Sequence, residues 1–95
     1  MAESFSDLHG EMGEARECLR SFTLGREGFT RQDGVDAISR VSDLCAKMHE
    51  HFGAGSHAGE VASTVVMARN QILAARARLV ILGRKKLLPV TRTRE

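Results

Sequence analysis

The residues best equipped for chemistry are Cys45, His49, His51 and His57, with Glu60 close by. Cys45 and His49 stand four apart, so a helix would put both on one face. His57 follows a glycine-rich turn and can fold back toward them. A thiol and two imidazoles are ligands that zinc, copper or nickel accept. Cys45, His49 and His57 are therefore the candidate ligands of a metal-binding regulator. The plainer expectation is a buried thiol and solvent-facing histidines beside a turn, because Cys45 falls on an apolar seam and His51 points away from His49. Nucleophilic catalysis has less to build on. Cys18 and His9 lie nine residues apart, about 13 Å along a helix, too far for proton transfer. Cys45 with His49 is the one plausible thiol–imidazole pair, and it has no third orienting residue or oxyanion loop beside it. Glu11, Glu14 and Glu17 read as a solvated face. Neither G-x-x-x-x-G-K-S/T nor G-x-G-x-x-G occurs. The expectation is a chain that is not an enzyme and needs no cofactor.

A second group is basic. Residues 1–67 carry six Lys and Arg against eleven Asp and Glu, a net of −5, whereas residues 68–95 carry eight against one, a net of +7. Such asymmetry points either to an anionic partner or to one end neutralising the other within a fold or assembly. Arg69 and Arg76 share a helical face, as do Arg78 and Lys85. With Arg84 and Lys86 they form the candidate nucleic-acid contact, since phosphate binding needs little beyond such cations. The basic half has no aromatic residue, so bases have nothing to stack on. The simpler role for Arg84, Lys85 and Lys86 is to complement the negative end of a helix dipole.

Three helices are predicted to position these groups. The first covers about 4–23. Ser4 with Asp7 reads as a capping-box variant. Phe5, Leu8, Met12, Ala15, Leu19 and Phe22 follow at alternating spacings of three and four, a heptad seam. Gly10 and Gly13 then fall on the outward face and weaken the helix by about 1 kcal/mol each relative to Ala. Gly25 to Gly28 is a turn. The second helix covers about 30–52, with Thr30 and Asp33 as a capping box. Its apolar face is Val35, Ile38, Val41, Cys45, Met48 and Phe52, widened by Leu44 and Ala37. Gly53-Ala54-Gly55 is expected to end it through a left-handed glycine.

The third helix covers about 56–86. One seam is Ala58, Val61, Val65, Ala68, Ile72, Ala75, Leu79 and Leu82, and a second stripe is Val66, Leu73, Ala77 and Val80. Two stripes imply a helix covered on more than one side. At about 45 Å it outruns the first helix, about 30 Å, so it must overhang its own chain or pair with another. Pro89 is expected to stop it, leaving 89–95 as a basic flexible tail.

Composition sets the outer limits. Ninety-five residues make one domain at most, here 1–88, with a thin core for which oligomerisation is a common remedy. With 42% hydrophobic and 27% charged residues, the chain is neither collagen-like nor disordered. Two isolated cysteines and an acidic start without a basic signal region point to free thiols and a cytoplasmic protein. The most apolar stretch, 61–82, holds Arg69, Arg76 and Arg78, which argues against a membrane span.

In size, and in a glycine turn near its middle, the chain resembles the small secreted helical hairpins built around a Trp-x-Gly turn. His51-Phe52-Gly53 stands where that turn would be, without the Trp and without their Tyr-x-x-x-Asp/Glu tail signal. It also resembles, in size and helical plan alone, the needle subunits and chaperones of type III secretion. The heptad seams, and the surplus apolar length of the third helix, point to association through helices. The expectation is an all-α, three-helix chain with helices two and three as a long antiparallel hairpin, forming a bundle on oligomerisation. It would act as a coiled-coil-like interaction module, either an assembly subunit binding copies of itself or an adaptor or chaperone for another helical protein. The residues expected to meet the partner are Phe5, Leu8, Met12 and Leu19 on helix one, and Val66, Leu73 and Val80 on helix three.

Overall fold

The computed structural model describes residues 4–87, with side chains through Gly83. The chain forms α1 (Phe5–Thr23), α2 (Arg31–Phe52) and α3 (Ala58–Leu87), packed against one another in pairs, with no strand among the described residues. The body is an elongated rod of 59 × 21 × 17 Å. The proposed tail, 89–95, and its Pro89 lie outside the described residues.

Local chemistry sets most helix ends. Ser4 is extended, and its Oγ accepts the Asp7 N–H at 3.1 Å, satisfying one of the free donors of α1. Two hydrogen bonds close the other end of α1: Arg26 N–H donates to Ser21 O and Gly25 N–H to Phe22 O. With Gly25 at φ 74°, this is a Schellman cap. Arg26 reinforces it by donating to Ser21 Oγ at 2.8 Å and pairing with Glu17 at 3.2 Å. Thr30 and Asp33 form the full reciprocal capping box that opens α2.

Two expectations about the second turn are corrected. Gly53 caps α2 in a right-handed conformation, φ −72°, with its N–H on His49 O. Positive φ occurs only at Gly25 and Gly28 among the described glycines. The next helix begins at Ala58 rather than Ser56, because Ala58 N–H first donates to Gly55 O in a tight turn.

The core lies along the rod axis. It is built from Leu8, Met12, Ala15, Leu19 and Phe22 of α1, Val41, Leu44 and Met48 of α2, and Val61, Ala68, Ile72 and Ala75 of α3. Full burial of each larger side chain contributes about 1.5–3 kcal/mol, before conformational entropy is set against it. The heptad seam of α1 is thus buried as read, apart from half-buried Phe5. On α2 the apolar face is buried or half-buried as read from Ala37 to Phe52 and departs only at its start. Val35 is exposed, and its neighbour Gly34 faces α1 instead. The cause is Phe22, whose ring occupies the space a side chain at position 34 would need. On α3 the first seam faces inward, with Val65, Leu79 and Leu82 half-buried at its margins.

Candidate helix-docking surface

The second stripe of α3 faces outward. Val66, Leu73 and Val80 are 57%, 62% and 55% exposed, and stand one heptad apart on one line. Met67 and Ile81 flank that line and are also exposed. Both escaped the sequence reading, because each stands about 100° round the helix from the stripe residue before it and so falls outside the stripe's spacing. α3 is therefore apolar on two sides, and its own chain covers one. Exposed apolar residues aligned in this way make the outer face of α3 a candidate interface.

Arg69 and Arg76 are exposed along one edge of the ridge. Beside Arg69 runs an open groove of about 360 Å³ between α2 and α3, lined by Ser42, Cys45, Ala46, His49, Val65, Arg69 and Ile72. Cys45 is half-buried there. Burial pushes its thiol above the ordinary value, while the Arg69 and Arg16 guanidinium groups pull the other way. A thiol held protonated is a poor nucleophile and a poor metal ligand.

The other candidates from the sequence are placed differently. Leu8, Met12 and Leu19 are buried in the core of their own chain, at 1% exposure or less, and present nothing to a partner in this arrangement. Phe5 stacks on His57 with ring centroids 3.9 Å apart and planes 3° apart, and meets Phe52 edge-on. This stack closes the end of the rod where α1 starts and α2 ends. It also turns His57 away from any shared site with Cys45 and His49, since the ring lies on Phe5 and its Nδ1 faces Glu60 at 3.2 Å. Among the described residues, no three His, Cys, Asp or Glu side chains are gathered to hold a metal ion. The Cys45–His49–His57 set is therefore not assembled.

The basic set also divides. Arg78 turns inward: its guanidinium lies against Gly25, and its Nε is buried without a hydrogen-bond partner. It leaves the group of cations available to phosphate. Arg84, Lys85 and Lys86 belong to the last turns of α3, and their side chains lie outside the described residues. No described helix is long and apolar enough to cross a membrane.

No protein-family model matches the chain, and neither a curated protein nor a solved structure is detectably similar to it.

Proposed function

We propose that this chain is a non-enzymatic helical interaction module that docks another helix on the outer face of α3, as an assembly subunit or as an adaptor or chaperone. The observation that carries the reading is the exposed line Val66, Leu73 and Val80 on a helix whose opposite face already fills the core. A helix apolar on both sides belongs between two layers, and this chain supplies one of them.

Leu73→Glu tests it. Leu73 is exposed, so the fold should keep its stability within about 0.5 kcal/mol. Whatever association the parent shows, with itself in light scattering or with a helical partner, should be lost. Ser39→Glu, at an exposed position on α2, is the control and should leave association intact. Unfolding of Leu73→Glu, or association indifferent to it, would refute the reading.

A second reading is a nucleic-acid contact. It is favoured by the exposure of Arg69 and Arg76 on one edge of α3. It requires a mobility shift with duplex DNA or RNA that weakens steeply with salt and survives Leu73→Glu.

A further inference from the structure

We infer that the occupant of the α3 face is an acidic amphipathic helix from another protein, rather than a second copy of this chain. The inference rests on the reading of that face as a docking surface and specifies its partner. Between Glu60 and Glu95 the sequence contains no Asp or Glu. Every charge that α3 presents beyond its first turn is therefore positive. Read as a heptad, Val66, Leu73 and Val80 occupy d positions, Asn70 and Ala77 occupy a positions, and Arg69 and Arg76 occupy the flanking g positions. Flanking charges of a helix pair select the partner, and two exposed arginines select carboxylates. Among the described residues, no carboxylate pairs with Arg69 or Arg76. The positive edge is thus available to a partner.

A second copy fits poorly through its own α3. An antiparallel α3 sets g against g, so arginine meets arginine. A parallel α3 brings the two basic segments together at one end. The chain does own acidic outer faces, Asp7, Glu14 and Glu17 on α1 and Asp36, Asp43 and Glu50 on α2, but among the described residues α1 exposes no large apolar residue and α2 only Val35, too little to cover the ridge. Charge complementarity without apolar cover leaves Val66, Leu73 and Val80 wet. A foreign helix with a leucine seam and glutamate flanks satisfies both demands, and its negative field is drawn toward the basic segment before contact.

Two synthetic helical peptides of equal length test this on the full chain, by fluorescence anisotropy at concentrations where neither self-associates. Both carry Leu at a and d. One carries Glu and the other Lys at e and g. The Glu peptide should bind at least about tenfold tighter than the Lys peptide at low salt, with the difference shrinking as salt is added. The double charge reversal Arg69→Glu with Arg76→Glu should invert the preference without changing the thermal midpoint appreciably. Leu73→Glu should abolish binding of both peptides. Equal binding of the two peptides overturns the acidic occupant. If the Glu peptide does not bind while the chain forms a dimer that Leu73→Glu dissociates, the docking surface stands and the occupant is a second copy, which also overturns the inference. If Leu73→Glu unfolds, the face belongs to the core and the underlying reading falls with it.

Discussion

The contact between Gly34 and Phe22 turns one substitution into a test of the packing. A Cβ built on Gly34 lies 2.5 Å from Phe22 Cε2 and 2.6 Å from Cε1, with Cζ at least as close. Carbon atoms pack at about 3.5–4.0 Å, so roughly 1 Å of separation must be found. The ring cannot swing out cheaply, because Phe22 is 2% exposed and surrounded by core. Overpacking of this kind costs about 1–3 kcal/mol. The helix propensity gained on replacing Gly with Ala returns about 1 kcal/mol. Gly34→Ala should therefore destabilise the fold by up to about 2 kcal/mol and lower Tm by up to roughly 15 °C for a domain of this size. Gly10 and Gly13 sit mid-helix with nothing within 4 Å of a built Cβ. There the same substitution should stabilise by about 0.5–1 kcal/mol each. Thermal unfolding followed by far-ultraviolet circular dichroism reads both signs in one experiment. Phe22→Leu completes the cycle: it removes ring atoms that clash, so Gly34→Ala should cost less in that background. A Gly34→Ala variant that melts higher than the parent, as the Gly10 and Gly13 variants should, would refute the α1–α2 approach described here.

Two further outcomes follow from the same physics. Thr30→Ala removes the side-chain half of the capping box at α2 and should cost about 1 kcal/mol, measured by chemical denaturation; no loss would mean the N–H groups of that turn are satisfied by water instead. Cys45 has its thiol raised above the ordinary value of 9.0 by burial, against the opposing pull of Arg69 and Arg16, so the folded state retains that proton longer than the unfolded state. Its contribution is complete below pH 9.0 and is lost as pH rises through the folded value, so stability should fall more steeply above pH 9.0 in the parent than in Cys45→Ala. An identical alkaline slope in the two proteins would show that Cys45 is not shielded.

The elements of this protein are legible in its sequence because the physics that makes them is local. Ser4 and Thr30 cap the helices they precede through bonds three residues long, and the α1 seam follows from spacing alone. The outward stripe of α3, which carries the candidate site, is visible in the same way. Periodicity gives each side chain an angle about its own helix axis and says nothing about which angle the neighbouring helices will cover. α3 offers two apolar stripes, and only packing decided that Val61, Ala68, Ile72 and Ala75 go inward while Val66, Leu73 and Val80 stay out. On α2, hydrophobicity favoured Val35, but the volume of the Phe22 ring required the small Gly34 at the contact. Arg78 reads as a surface cation until α1 ends beside it at Gly25. His57 reads as a ligand until Phe5, fifty-two residues earlier, stacks on its ring. These are all matters of complementary volume between segments far apart in the chain, and only the tertiary structure decides them.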